Sequence, residues 1–151
     1  MAVLADTGIL VRLLDRTDPQ HAVVRQAIRV LRARGQGLVT APQNVAEFWN
    51  VCTRPVAARG GLGLTVAEAE RRLRIVERLF PLLPGHPAGY VHWRHLVVSQ
   101  GVMGVQVHDA RLVALMMAHG LTELLTLNAA DFARYPAVTT TTPAGLVGAA
   151  P

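Results

Sequence analysis

Short apolar runs that close on a polar or acidic residue, separated by longer segments with apolar residues at helical spacing, leave this chain few folds to adopt. Ala2 to Ala5 is an uninterrupted apolar run, as expected of a parallel strand buried on both faces, and it stops at Asp6. Gly37 to Ala41 and Leu124 to Leu127 repeat the form, the second ending at Asn128. Between them, His21 to Arg34 puts Val23, Val24, Ala27, Ile28 and Leu31 on one helical face and Arg25, Arg29 and Arg32 on another, with Gly35 as the stop. Such alternation predicts an α/β layered domain. A chain of 151 residues fits one domain, since a core of that size buries about two-thirds of the unfolded surface. No internal repeat or linker divides it. Residues 1–142 read as one domain and residues 143–151 as a short C-terminal tail that frays.

The remaining helices follow from local signals. Pro42 suits the first turn of a helix carrying Val45, Glu47, Phe48, Trp49 and Cys52, which ends near Arg54-Pro55. Ala57 to Gly63, with three glycines, reads as the most flexible loop. Thr65 and Glu68 have capping-box spacing and open a helix whose buried stripe is expected to be Val66, Ala69, Leu73, Val76 and Phe80. Pro87 to Gln100 is helical, with Tyr90, Trp93 and Val97, and Val107 to His119 predicts a largely buried helix with Asp109 in its first turn and Gly120 beyond its end. The tail from Val138 to Pro151 supplies one edge strand.

Hydrophobic residues make up 51% of the chain and charged residues 17%, a balance that favours a packed globule over disorder. All fifteen basic residues are arginine. The absence of lysine excludes P-loop NTPases, Schiff-base enzymes and phospho-acceptor domains built on a lysine. The N-terminal residues have no basic leader or cleavage site, and no apolar stretch approaches the roughly 20 residues of a membrane span. With Cys52 as the single cysteine, the chain is expected to be cytoplasmic, with no disulfide and no membrane association.

Ten acids are few, and four of them sit in apolar company. Asp6 closes a buried strand, and ligands of open α/β sheets gather at the carboxyl ends of strands. Asp131 follows Asn128 in the loop after another strand, Glu47 is flanked by Val45, Ala46, Phe48 and Trp49, and Asp109 opens a helix that is otherwise nearly uncharged. Each has a plainer role: Asp6 and Asp109 as helix caps that stabilise by about 1 kcal/mol, Glu47 as a solvent-facing helix residue, Asp131 as a turn residue. If the four converge, their repulsion calls for a hard divalent cation, and an all-oxygen site suits Mg²⁺ or Mn²⁺. Zinc is not expected, because no cysteine–histidine set has ligand spacing. With these four facing one crevice, fifteen arginines stand against six other acids, a surface that would attract a polyanion such as RNA.

Four segments resemble, in order, the acidic motifs of PIN-domain ribonucleases, above all the VapC-like toxins of type II toxin–antitoxin pairs. They are Val3-Leu4-Ala5-Asp6-Thr7, Pro42-Gln43-Asn44-Val45-Ala46-Glu47-Phe48-Trp49, Gln106-Val107-His108-Asp109-Ala110-Arg111-Leu112-Val113 and Leu125-Thr126-Leu127-Asn128-Ala129-Ala130-Asp131-Phe132. The resemblance runs from Val3 to about Thr142. It implies a three-layer α/β/α domain with a central, mostly parallel sheet, usually a homodimer, which cleaves RNA with one or two divalent ions and is silenced by a cognate antitoxin protein. By resemblance Asp6, Glu47 and Asp109 are the core metal ligands, Asp131 completes the set, and Thr7, Thr126 and Asn128 orient ligands or water. The chain departs from the pattern at Gly8, where relatives often carry serine or asparagine, and at Asn128, where some carry an acid; both bear on a second metal site.

Other readings are weaker. Asp6-Thr7-Gly8 also spells the aspartic-protease motif, but that fold is nearly all β and these segments have helical period. A haloacid-dehalogenase-like phosphatase needs an acid where Gly8 stands, and a lysine. The alternative of another class is a PIN-like module that binds RNA or protein without cutting, against which stand all four acids. Trp49 and Trp93 read as core or interface rather than base-stacking platforms, His108 as structural or at the rim, and Cys52 as a small buried hydrophobe.

Overall fold

The computed structural model describes residues 1–149. Strands β1 (Ala2–Ala5), β2 (Gly37–Val39), β3 (Glu123–Leu125) and β4 (Thr139–Thr141) form an all-parallel sheet in the order β2-β1-β3-β4. The helices are α1 (Thr7–Leu14), α2 (His21–Ala33), α3 (Pro42–Thr53), α4 (Val66–Leu79), α5 (Gly89–Ser99), α6 (Val107–Ala118) and α7 (Pro143–Gly148). Side chains alternate across a strand, so the two central strands feed two cores. Val3, Ala5 and Leu125 pack with α1, α2, α3, α4 and α7, whereas Leu4 and Leu124 pack with α5 and α6. This gives the expected three layers, α/β/α, and explains why β1 is apolar at every position. No helix among the described residues is long and apolar enough to cross a membrane.

Several elements depart from expectation for identifiable reasons. The second strand stops at Val39 because Thr40 turns its backbone outward, pairing with Pro81 and Leu83, while its hydroxyl donates to Ala5 O at 3.0 Å. The third stops at Leu125, two residues before the expected end, because the Thr126 hydroxyl accepts from Asn128 N at 3.1 Å and folds the chain into a side-chain turn. Val66, placed in the buried stripe of α4, is 68% exposed: it stands on the first turn, ahead of Ala69 and Val76, which do pack. The tail expected to fray holds a helix instead, since Thr142 caps α7 through Gly145 N and Pro143 and Leu146 are buried, with α7 lying against α2.

The glycine-rich stretch is also tighter than expected. Leu62, Gly63 and Leu64 donate to the carbonyls of Val51, Arg54 and Cys52, so the loop is fastened to the end of α3, and Gly61 donates to Ala58 O. A Cβ at Gly61 would collide with the carbonyl oxygens of Arg54 and Pro55. Gly61→Ala is therefore expected to destabilise the fold by about 1–3 kcal/mol in urea melts, as overpacking does. Gly85→Ala, which meets open space, should stay within about 0.5 kcal/mol of the parent; equal effects would contradict this account of the loop.

Candidate active site

The sheet order puts the start of the site at its centre. The chain leaves β1 toward β2 on one side and leaves β3 toward β4 on the other, so the β1/β3 boundary is the point where strand order reverses, the place where open α/β sheets bind ligands. Register pairs Ala5 with Leu125, which makes Asp6 and Thr126 the next neighbours. Asp6 N donates to Leu125 O at 3.0 Å, and Thr126 Oγ1 donates to Asp6 Oδ2 at 2.8 Å. Asp6 also caps α1, its Oδ1 accepting from Thr7 N at 2.7 Å. The capping and site roles thus coexist in one carboxylate.

Helix α3 brings the second acid. Thr7 Oγ1 donates to Glu47 Oε2 at 2.8 Å, and Asn44, buried one helical turn before Glu47, donates through Nδ2 to Asp6 Oδ1 at 3.2 Å and to Thr7 Oγ1 at 3.1 Å. Gln43 donates through Nε2 to Glu47 Oε1 at 3.2 Å and to His108 O at 2.9 Å, tying α3 to the start of α6. Gln43 and Asn44 were not singled out in the sequence, although their positions four and three before Glu47 put them on its face of the helix. Their Oε1 and Oδ1 atoms are buried without a hydrogen-bond partner.

Asp109 lies in the first turn of α6, but that helix begins after Gln106 with no side-chain cap, so the capping alternative for Asp109 does not hold. Asp131 is exposed in a 3-10 turn, its N–H donating to Asn128 O at 3.1 Å, and acts on the others through charge alone. Asn128 contributes its backbone N–H to Thr126, and its side chain is exposed. His108 is exposed at the rim.

Electrostatics tie the four acids together. Burial pushes the Asp6 carboxyl above its ordinary range, outweighing the hydrogen bonds from Thr126 and Thr7, and Glu47 and Asp131 push the same way. Burial raises Asp109 to about 6, reinforced by Asp131, Asp6 and Glu47 and opposed by His108. The acids are thus within electrostatic reach, yet among the described residues no three stand close enough together to share one ion as placed. The donor set still fits a hard divalent cation. It is all oxygen, it has a surplus of negative charge, and two buried amide oxygens beside it want a positive partner. Trp49 and Cys52 belong to the core.

A family model described as the PIN domain matches residues 3–138. Solved structures are similar over nearly the whole chain. One is a chain of the VapBC2 structure from Rickettsia felis bound to a promoter DNA fragment, with TM-score 0.68 and 16% identity over 94% of this chain and 98% of that one. Another is from VapBC-1 of nontypeable Haemophilus influenzae, with TM-score 0.68 and 16% identity over 95% and 99%. A third is from a toxin–antitoxin complex of Klebsiella pneumoniae, with TM-score 0.62 and 23% identity over 93% and 97%. Among curated proteins none matches closely enough to count as a relative.

Crowding of the acids has a measurable cost. An acid whose folded pKa is raised contributes its full stability below the unfolded value of 3.8 and loses it as pH rises through about 6. Asp109→Asn keeps the shape without the charge, so in metal-free buffer at pH 7.5 it should gain about 1 kcal/mol, a figure discounted for partial exposure. That corresponds to a rise in Tm of about 2–4 °C. At pH 4 the gain should vanish; the same shift at both pH values would contradict the assignment.

Proposed function

Because the chain belongs to the PIN domain family, we propose that it is a Mg²⁺- or Mn²⁺-dependent endoribonuclease, the cytoplasmic toxin of a toxin–antitoxin pair. The observation that carries this reading is the hydrogen-bonded network that holds Asp6 and Glu47 through Thr7, Asn44 and Thr126 at the reversal point of the sheet, with Asp109 and Asp131 as the further acids of the proposed site. These four residues would hold one or two ions. A bound ion supplies a more acidic water, polarises the phosphoryl oxygen and stabilises charge on the leaving oxygen.

The chain's own part is positioning. Thr126 and Asn44 hold both oxygens of Asp6, and Thr7 and Gln43 hold those of Glu47, so both carboxylates are oriented by their neighbours. Without an ion, burial and the neighbouring acids hold the Asp109 carboxyl at about 6, so the site favours a cation that would relieve this. No histidine lies in the hydrogen-bonded network around Asp6 and Glu47, where only the backbone oxygen of His108 takes part.

The partners follow from the resemblance and the surface. A cognate antitoxin protein is the expected inhibitor. A homodimer is supported by an exposed apolar strip, with Val91 and Val98 on α5 and Met103 and Val105 just after it.

The direct test is cleavage of total cellular RNA by purified, inhibitor-free protein with Mn²⁺, with Mg²⁺ and with EDTA. Discrete fragments should require the metal, and Asp109→Asn should reduce cleavage at least a hundredfold while remaining folded. Cleavage unchanged in the variant would sink the site assignment, and no cleavage by folded protein in any metal would favour the non-cutting binding module.

A further inference from the structure

Beside the carboxylates lies a cavity of about 430 Å³, within the size range of small-ligand sites. Its walls come from the start of α5, the loop before it, α6 and the first turn of α3. Tyr90 and Trp93 stand on one side with ring centroids 6.0 Å apart and planes inclined by 32°. His86, Leu112 and Leu115 supply further wall, and Arg111 and Gln43 are its polar members. Trp93 is held in place by its Nε1 donating to Val107 O at 3.1 Å.

The location decides what this cavity is for. Gln43 lines it and also bonds Glu47 Oε1 and His108 O, so a single side chain separates it from the acids, and Asp109 and Arg111 lie two residues apart on α6. Arg111 is exposed and belongs to neither ion pair found among the described residues. A cavity with aromatic walls, an apolar floor and a free guanidinium matches a flat π-faced ring that carries a phosphate.

We propose that this cavity seats one unpaired nucleobase of a single-stranded RNA, stacked against Tyr90 and His86, with Arg111 holding the phosphate that leads to the carboxylates. The proposal rests on the ribonuclease reading and adds to it a set of specificity-determining residues. A base preference on one side of the cut is then expected.

The test measures binding without cleavage, on the full-length Asp109→Asn protein in EDTA. Two single-stranded probes are compared by quenching of tryptophan fluorescence and by competition: a mixed-sequence RNA 12-mer and an abasic ribose-phosphate oligomer of the same length. The 12-mer should bind tighter by about fivefold or more, the effect of stacking one base. Tyr90→Ala and His86→Ala, made separately, should each shrink that ratio to less than about twofold, while Arg111→Gln should weaken both probes. Sedimentation of each variant is recorded in parallel. Equal affinity for the two probes, or a ratio unchanged in Tyr90→Ala and His86→Ala, would overturn the proposal. So would an intact ratio in variants that fall apart into monomers, which would assign the cavity to a protein interface. Metal-dependent cleavage by the unmutated protein in the same preparation would show that such a failure concerns the cavity and not the nuclease reading.

Discussion

A carboxylate at the inner end of a buried strand is costly unless it is met by donors, and the centre of this fold is arranged around Asp6. Removing such an ion from water costs several kcal/mol, while each hydrogen bond to a charged group returns about 1.5–3 kcal/mol. Three donors reach it from three parts of the chain: Thr7 N at the start of α1, Asn44 on α3 and Thr126 after β3. Thr126 arrives because β1 and β3 are parallel neighbours in one register, and Asn44 because α3 follows β2, the neighbour of β1 on its other side. The sheet order and the Asp6 network are therefore two descriptions of one constraint. Even so, burial prevails and the Asp6 carboxyl stays above its ordinary range.

The same arrangement separates two kinds of charge. Asp6 and Glu47 share one hydrogen-bonded network, and among the described residues no arginine enters it. Arg74 is paired with Glu70 on α4, and Arg12 stands 3.9 Å from Asp18, both outside that network. A site short of positive charge within a surface rich in it is suited to two ligands at once. A small hard cation satisfies the acids, and a polyanion satisfies the arginines.

Much of this was legible in the sequence, and the parts that were not share a cause. Ala2–Ala5 and its stop at Asp6, the Thr65–Glu68 capping box and the helix opened by Pro42 are local signals, and local signals survive into the fold. The end of β2 was not legible, because it is set by the distant partners of Thr40, and the end of β3 depends on the side-chain turn that Thr126 makes with Asn128 N while it also reaches Asp6. Helix α7 was missed because Pro143–Gly148 has little helical propensity of its own and is held by burial of Leu146 next to α2. Within the site, the acids announced themselves by standing in apolar company. Asn44 and Gln43 did not, since an amide on a helix face looks like surface until the strand end it reaches is known.

The claim on which the rest depends is that these four carboxylates form one cation site. Paramagnetic broadening of backbone amide signals by substoichiometric Mn²⁺ reads this directly and needs no RNA. The amides of Asp6, Thr7, Glu47, Asp109 and residues 128–131 should broaden first and together, and Mg²⁺ in excess should restore them. Broadening that begins instead at Glu70, Glu77 or Asp15, with the Asp6 and Asp109 amides unaffected, would contradict the account.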